Sequence, residues 1–370
     1  MTTPRKPPRL LYAQGADIPD IRYATGFAAP DPFLLLVRNG EKHFLVSPLE
    51  AARASAACPE AKVWTREALG VAPGKPAAPA WLARLGVRSV EVSRDFPVGP
   101  ARDLEAAGVR VRIARGGAFP ERAAKREDEL AHIAAAQRAA VRAFRLAAGA
   151  MRDSTIGRDG RLSLEGKLLT SERLKGIIED ELRRGGFDCD GLIVAVGPQS
   201  ARPHDEGHGP VREGQPVVMD IFPRSRATGY WGDFTRTVVR GRIPDWLERM
   251  HATVESAQRL ALSLIRPGAK GSDLQRAVER HFADAGYDTH LEPPGEERGF
   301  IHSLGHGVGL EIHEEPRLSR KGGVLQEGHV VTVEPGLYTP RLGGVRIEDT
   351  VVVTPDGCRL FCDCPRGLRG

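Results

Sequence analysis

The sequence predicts a two-domain protein of the mixed α/β (α+β) class. Its 370 residues are enough for two or three domains, and 41% hydrophobic with 27% charged residues is typical of a globular chain. Strand-like runs alternate with amphipathic helical segments along most of the sequence. The 42 glycines and 28 prolines are scattered, so they mark turns. A mostly disordered chain, a collagen and a coiled coil are therefore excluded.

The first domain, residues 1–122, is predicted to be a small α/β unit. Phe33–Val37 and His43–Val46 flank an Asn39-Gly40 pair, a combination typical of a tight β-hairpin. The other elements expected here are an Ala-rich helix and two strands: Pro48–Ala57, Val87–Val92 and Val109–Ile113. No cluster of acids, bases or nucleophiles stands out, so we expect a structural or dimerisation role.

The second domain, residues 123–370, begins after a polar stretch that leads into an Ala-rich helix ending near Met151. Another helix, Ser171–Arg184, stops at Gly185-Gly186, as helices commonly do. Five β-rich runs and two further helices follow: strands at 191–196, 215–222, 232–239, 329–334 and 344–353, and helices at 244–265 and 271–285. We expect the last residues, 365–370, to be frayed.

Composition also constrains location and partners. No apolar run is long enough for a transmembrane helix, and no apolar core follows the basic start Met1–Pro8, so we expect neither membrane association nor a secretory signal. Lys and Arg exceed Asp and Glu by 53 − 48 = 5 without a long basic run, so no nucleic-acid partner is expected.

Cysteine usage favours a reducing cytoplasm, because five cysteines in a chain of this size do not suggest a disulfide framework. Cys358, Cys362 and Cys364 lie close together near the end, but their spacing matches no usual zinc pattern. We expect them to be ordinary thiols.

The most informative feature is the placement of acids within the strongest strands. Asp220, Glu334 and Glu348 each lie among Val and Ile residues, where a carboxylate is expensive to bury unless it is paired or binds a metal. Each alone could be a strand-end cap or half of an ion pair, but together they indicate a shared cation. Asp233 follows Asp220 across a turn-rich connection, and two antiparallel strands joined there would place both carboxylates side by side.

Histidines supply the nitrogen ligand. His302, His306 and His313 lie in a Gly-rich segment, where glycines at alternate positions from Gly305 to Gly309 let the backbone approach closely. We therefore expect a shaped loop. One imidazole with several carboxylates is a hard, oxygen-rich set of the kind that suits Mn, Co, Fe or Zn.

Six segments together resemble the pita-bread metallopeptidases, a family that contains the proline dipeptidases (prolidases), aminopeptidase P and the methionine aminopeptidases. These segments are Asp220, Gly229-Tyr230, Asp233–Thr237, Gly305–Glu314, Val333–Tyr338 and Arg346–Asp349. The match covers roughly residues 126–360 in the family's order. It implies a creatinase-like N-terminal α/β domain, followed by a pita-bread catalytic domain with pseudo-twofold α/β halves.

The resemblance also implies the roles of particular residues. It implies two divalent metal ions, with Mn preferred over Co, Zn or Fe, held by five ligands: Asp220, Asp233, His306, Glu334 and Glu348. Four residues would take part in catalysis: Glu334, His204, His302 and His313. Four would contact substrate or buttress its site: His204, His313, Arg346 and Tyr338. Arg346 is the candidate for binding a substrate carboxylate.

The chain departs from the family pattern at two places. The connection between Asp220 and Asp233 is about two residues longer than usual, and Gly232 stands where the family commonly has Ser. Because side chains alternate with a period of two, an even insertion keeps each strand's face unchanged. We therefore expect both aspartates to remain ligands.

The large N-terminal domain favours the prolidase and aminopeptidase P branch, whose shared bond is Xaa-Pro. We expect a homodimer that hydrolyses short proline-containing peptides, acting first on Xaa-Pro dipeptides; an aminopeptidase P acting on longer peptides is the alternative. A metal-independent, creatinase-like hydrolase and a non-catalytic binding protein are disfavoured, because such relatives lack part of the ligand set.

Overall fold

The computed structural model describes residues 7–13, 18–114 and 117–369. The expected absence of a secretory signal concerns Met1–Pro8, most of which lies outside the described residues. Contacts divide the chain into two compact units, Met1–Arg122 and Ala123–Gly370. Within the described part of the chain, no helix combines the length and apolar character needed to cross a membrane.

The first unit is built on one mixed sheet of six strands, ordered β4-β3-β2-β1-β5-β6. Its described elements in chain order are β1 (Arg9–Ala13), α1 (Pro19–Thr25), β2 (Phe33–Arg38), β3 (Glu41–Leu45), α2 (Ala51–Ala57), β4 (Lys62–Trp64), α3 (Ala78–Arg84), β5 (Ser89–Val92), α4 (Val98–Ala106) and β6 (Arg110–Ile113). The predicted hairpin is confirmed: β2 and β3 pair antiparallel, and Asn39 and Gly40 take positive φ of 52° and 82°.

Helices cover both faces of this sheet, which explains the apolar strands. Side chains alternate along a strand, so Leu10 packs with the buried residues of α3 and α4, whereas Leu11 packs with those of α1 and α2. The same alternation holds for Leu34 and Leu35 in β2. The predicted helix Pro48–Ala57 begins only at Ala51.

The first half of the second unit packs two helices on an antiparallel sheet, β11-β12-β14. Its described elements are α5 (Glu127–Arg152), β7 (Thr155–Ile156), β8 (Leu162–Leu164), β9 (Lys167–Leu168), α6 (Ser171–Arg184), β10 (Phe187–Asp188), β11 (Ile193–Val196), β12 (Val217–Ile221), β13 (Arg224–Ser225) and β14 (Phe234–Val238). Alanines at positions such as 136, 140 and 147 are buried, so α5 can approach its neighbours closely.

The second half repeats this plan with α7 and α8 on the sheet β16-β15-β17-β20-β21. Its described elements are α7 (Asp245–Leu264), α8 (Gly271–Asp284), β15 (Gly305–Gly307), β16 (Glu314–Leu318), β17 (Val330–Val333), β18 (Gly336–Thr339), β19 (Gly343–Arg346), β20 (Asp349–Thr354) and β21 (Gly357–Leu360). Each half has its own helix pair and hydrophobic core, and the predicted mixed α/β class is confirmed.

Two predictions for this unit are wrong. The run 344–353 is not one strand, because the chain leaves the β18–β19 hairpin at Arg346 and joins the larger sheet as β20 at Asp349. The C-terminal tail is not frayed over its described residues: Leu368 is buried, and its carbonyl accepts a hydrogen bond from Val239 N at 2.7 Å.

The tail is held by a buried arginine on β14. The Arg236 guanidinium, about 1% exposed, donates to the carbonyls of Cys364 and Pro365, and it pairs with Asp349 at 2.7 Å. Arg366 binds the other oxygen of Asp349 at 2.6 Å. The tail therefore supplies acceptors that a buried guanidinium requires.

Candidate metal centre

A cavity of about 490 Å³ lies in the second unit, within the size range of small-molecule sites. Nine of the ten predicted site residues line it: His204, Asp220, Asp233, His302, His306, His313, Glu334, Arg346 and Glu348. The tenth, Tyr338, is not among the lining residues. Residues separated by up to 144 positions in sequence therefore meet in one place.

Two neighbouring strands of the first half carry the aspartates. β12 and β14 pair antiparallel, with Asp220 opposite Thr235, so these two side chains share a face of the sheet. Asp233 lies two positions before Thr235 and therefore faces the same side. The longer connection leaves this register intact, and both aspartates reach the cavity.

Glu348 lies at the point where the chain passes from one sheet to the next. Its backbone N–H donates to Thr235 O at 3.0 Å, and its carboxylate accepts a 2.7 Å hydrogen bond from the Thr235 hydroxyl. Arg346, two residues earlier, is tied in the same way by hydrogen bonds between its backbone and the Thr237 hydroxyl. Both side chains reach the cavity at the point where the chain changes sheets, between Arg346 and Asp349.

His306 lies at the centre of the short strand β15, which corrects the prediction of a loop. Its two glycine neighbours are required by close packing: a Cβ at Gly305 would lie 2.1 Å from Thr332 O, and a Cβ at Gly307 would lie 2.4 Å from Glu315 O. The glycines therefore allow the adjacent strands to close around the imidazole, which is about 6% exposed.

Thr332 connects two predicted ligands in the second half of this unit, His306 and Glu334. The Thr332 hydroxyl accepts a hydrogen bond from His306 N at 3.0 Å and donates to Glu334 Oε1 at 3.1 Å. His306 Nε2 lies 3.2 Å from Glu334 Oε1 and 3.5 Å from Asp233 Oδ2. Imidazole and carboxylate atoms from both halves thus converge.

Three of these residues meet the geometric requirement for a shared cation. One ligand atom from each of Asp233, His306 and Glu348 lies within 4.8 Å of the others, and all three side chains are buried. The donors are carboxylate oxygen and imidazole nitrogen, a set that suits Mn, Co, Fe or Zn. The lining residues in the described part of the chain include no cysteine.

The electrostatics also fit a bound cation. Burial, reinforced by the neighbouring carboxylates, raises the pKa of Asp233 and of Glu348 well above their ordinary values. Burial also raises the pKa of Asp220, although Arg346 opposes this effect. Asp220 Oδ1 is buried and has no hydrogen-bond partner among the described residues, which a bound metal ion would explain. The residues present therefore fit a divalent metal group.

Glu334 differs from the other acids. Burial alone would raise its pKa, but the hydrogen bond and charge of His306, together with His302 and Arg346, outweigh burial and lower the pKa to about 2. Glu334 is therefore ionised at neutral pH even without a cation, whereas a bound cation would oppose the raised pKa of Asp233 and of Glu348.

Arg346 lines the cavity, and Tyr338 lies next to it outside the lining residues. The Arg346 guanidinium is about 3% exposed and donates to Asp220 Oδ2 at 2.5 Å, to Tyr338 OH at 3.1 Å and to Pro203 O at 3.3 Å. Acceptor groups of the protein itself therefore already engage the Arg346 guanidinium. Tyr338 is about 1% exposed, and its hydroxyl group contacts both His302 and Arg346.

The three cavity histidines outside the ligand set have different surroundings. Both ring nitrogens of His302 are engaged, Nδ1 with Ser303 O and Nε2 with Tyr338 OH, each at 2.8 Å. His313 stands edge-on to His306, with ring centroids 4.2 Å apart, and burial together with the charges of His306 and Arg317 lowers its pKa to about 4. His204 is exposed at the cavity wall.

Several contributors were absent from the sequence prediction. Arg317 and Glu206 also line the cavity, but a lone Arg or Glu in a polar segment carries no signal of a site. Thr235 and Thr332 lie two residues from Asp233 and Glu334, so period-two alternation could have indicated that they share the ligands' face.

Gly232 has a packing reason in this chain. A Cβ there would lie 2.8 Å from backbone atoms of Ala136 and Gln137 on α5. Gln137 in turn donates to Asp233 O at 2.7 Å. Helix α5 therefore approaches the start of β14 so closely that only glycine fits beside the ligand.

Comparison with known proteins identifies a family that this chain resembles over more than half of its length. The pattern of metallopeptidase family M24 matches residues 131–355. An uncharacterized peptidase from Bacillus subtilis is 38% identical over 195 residues, covering 52% of each chain. A Xaa-Pro dipeptidase from Pyrococcus furiosus is 39% identical over 178 residues, covering 48% of each. The aligned part of the chain thus spans about half the length of these curated relatives.

Similarity of structure extends further along the chain. The crystal structure of the prolidase from Pyrococcus horikoshii superposes with a TM-score of 0.80 at 26% identity. It covers 97% of this chain and 95% of that one.

Proposed function

Because the chain belongs to metallopeptidase family M24, we propose that it is a metal-dependent peptidase that hydrolyses Xaa-Pro dipeptides. The observation that carries the proposal is the meeting of Asp233, His306 and Glu348 within 4.8 Å in a cavity also lined by Asp220 and Glu334. Relatives named as Xaa-Pro dipeptidases or prolidases support the choice of substrate.

The five predicted ligands would hold two divalent ions: Asp220, Asp233, His306, Glu334 and Glu348. Two such ions, when bound, would polarise the scissile carbonyl and lower the pKa of water. We propose Mn, with Co, Zn and Fe as alternatives, because the donors are oxygen and imidazole nitrogen.

The surrounding side chains have separable roles in this proposal. Glu334 is ionised and lies on the cavity wall, so it can accept the proton that attacking water loses. His313 is neutral at pH 7 and can donate an N–H to the oxyanion that develops at the carbonyl. His302, with both nitrogens engaged, positions Tyr338, and His204 contacts substrate from the cavity wall.

Arg317 is the better candidate for the substrate carboxylate. Arg317 is only partly buried and lines the cavity, and its positive charge contributes to lowering the pKa of His313. Arg346, by contrast, is already paired with Asp220. A dipeptidase needs such a cation close to the scissile bond, whereas an aminopeptidase must leave room for a longer peptide.

The proposal extends to the oligomeric state of the protein. The first unit would have a structural role and mediate formation of a homodimer, which light scattering of the full chain tests.

The proposal also includes a cytoplasmic location and catalytic activity. All five cysteines are free thiols, which supports a cytoplasmic location. A non-catalytic or creatinase-like role is disfavoured by the complete ligand set, and elemental analysis showing no metal would favour one of them instead.

A cleavage assay tests the proposed function directly. The Mn-loaded protein should hydrolyse Ala-Pro faster than Ala-Pro-Pro, and Glu334→Ala should abolish both activities. A larger kcat/KM for the tripeptide would indicate the aminopeptidase alternative. Failure to cleave either peptide with Mn or Co would overturn the proposal.

Recognition of the carboxylate is tested with Arg317→Gln. Losing a charge-assisted hydrogen bond of about 1.5–3 kcal/mol should raise KM for Ala-Pro by about 10- to 100-fold. KM for Ala-prolinamide, which lacks the carboxylate, should not change. Arg320→Gln, which removes a nearby exposed arginine, is the matched control. An equal effect of Arg317→Gln on both substrates would assign Arg317 another role.

A further inference from the structure

A buried ion pair lies close to the cavity but has no part in the proposed chemistry. Lys125 Nζ lies 2.6 Å from Glu314 Oε1, and the two side chains are about 1% and 7% exposed. Lys and Glu are almost never this buried unless they are paired. The residues are 189 positions apart in sequence, so the pair joins distant segments.

The lysine end of this pair is a fixed anchor. Lys125 lies just before α5, and its backbone N–H donates to Gly328 O at 2.8 Å. Its ammonium also donates to Ala123 O at 3.2 Å. Both its backbone and its side chain are thus held within the second unit.

The glutamate end fills the inside of the turn 309–314. Glu314 is the first residue of β16 and pairs in register with Gly307, the neighbour of His306. Its Oε2 accepts a hydrogen bond from Glu311 N at 3.3 Å. A Cβ at Gly309 would lie 2.5 Å from Glu314 Oε1, so the carboxylate occupies the space beside that glycine.

The turn in question carries His313 and connects to both groups of ligands. His313 packs edge-on against His306 at 4.2 Å between ring centroids. Gly309 O accepts a 2.8 Å hydrogen bond from Trp231 N, two residues before Asp233. The position of His313 over the ligands therefore depends on the shape of this turn.

We infer that Lys125 and Glu314 are positioning residues whose buried pair fixes the turn 309–314 and so holds His313 against His306. The assignment of a catalytic task to His313 rests on the proposed function. The alternative is a packing role alone, but a buried ion pair is weak evidence for stability, because apolar residues of similar volume often serve stability as well or better.

The experiment compares the full-length, Mn-loaded protein with Lys125→Met, Glu314→Leu and the double variant Lys125→Met/Glu314→Leu. Glu315→Leu, which changes the adjacent exposed glutamate, is the matched control. Amide hydrogen exchange across the turn 309–314 is the primary measurement, and kcat and KM for Ala-Pro and the melting temperature accompany it. Each single variant should increase exchange at Glu311 by at least about tenfold, because Glu314→Leu removes the acceptor of this amide and Lys125→Met removes the ammonium group that holds that acceptor in place.

In the single variants, kcat should fall by about 100-fold, the scale of a misplaced catalytic group, with KM within about twofold. The double variant should regain the wild-type melting temperature while exchange stays fast and kcat stays low. Recovery of slow exchange and of kcat in the double variant, or unchanged exchange in the single variants, would overturn the inference. If wild type cleaves no Xaa-Pro peptide, the proposed function fails, but hydrogen exchange still decides whether the pair fixes the turn.

Discussion

Replacing Asp233 with Asn should stabilise the metal-free protein and remove its response to metal. Asp233 is about 5% exposed, and one of its oxygens lies within 4.8 Å of a ligand atom of Glu348. Two ionised carboxylates at that distance repel by about 3.5 kcal/mol at an effective dielectric constant of about 20. Protonation and Arg346 relieve part of this, so we expect Asp233→Asn to stabilise the metal-free protein by about 1–3 kcal/mol.

The size of the second unit determines how far these changes in the free energy of unfolding shift the melting temperature. For a unit of about 250 residues, 1 kcal/mol corresponds to about 2–4 °C, so the metal-free variant should melt at least about 2 °C higher. Mn at 100 times its dissociation constant stabilises the wild type by about 2.7 kcal/mol, or about 5–11 °C. The variant, lacking a ligand charge, should gain less than about a third of that.

Differential scanning calorimetry at pH 7, before and after Mn is restored to the chelated protein, measures both effects. Asp284→Asn, at an exposed aspartate on α8, is the matched control and should change neither temperature. A lower melting temperature for the metal-free Asp233→Asn variant would show that the carboxylate is not repelled by its neighbours. A full Mn response in the variant would remove Asp233 from the ligand set.

Three further predictions follow from individual contacts. Gly232→Ser introduces the residue that the family commonly has, but its Cβ would meet the α5 backbone, so the free energy of unfolding in urea should fall by about 1–3 kcal/mol. An unchanged free energy of unfolding would mean that α5 can shift. Burial and the charge of Lys125 lower the pKa of His329 to about 4, so neutral His329 stabilises the fold fully above pH 6.5 and this contribution falls as pH drops toward 4. His329→Asn should flatten the pH dependence of the urea midpoint over that window, and an unchanged slope would contradict this reasoning. Arg366→Leu should lower stability by about 1–3 kcal/mol through the loss of a partner of buried Asp349, whereas Arg369→Leu, at an exposed arginine, should have no effect in the same titration.

Much of the candidate site could be predicted because its signals are local. A carboxylate between Val and Ile residues is unusual wherever the strand packs, and this marked Asp220, Glu334 and Glu348. Alternation with a period of two then predicted that Asp233 would stay on the face of Asp220 despite the longer connection. The Asn39-Gly40 hairpin was equally local, since two positive-φ residues suffice to specify it.

What the sequence determined by itself was therefore the set of chemical groups and the face each strand presents, because propensity and alternation act between near neighbours in the chain. Only the tertiary structure decided how the groups are engaged: that Arg346 pairs with Asp220, that the chain changes sheets just before Glu348, and that Arg236 secures the C-terminal tail. These arrangements arise where elements far apart in sequence dock, and burial then forces each polar group to find a partner there. No periodicity encodes which partner that will be.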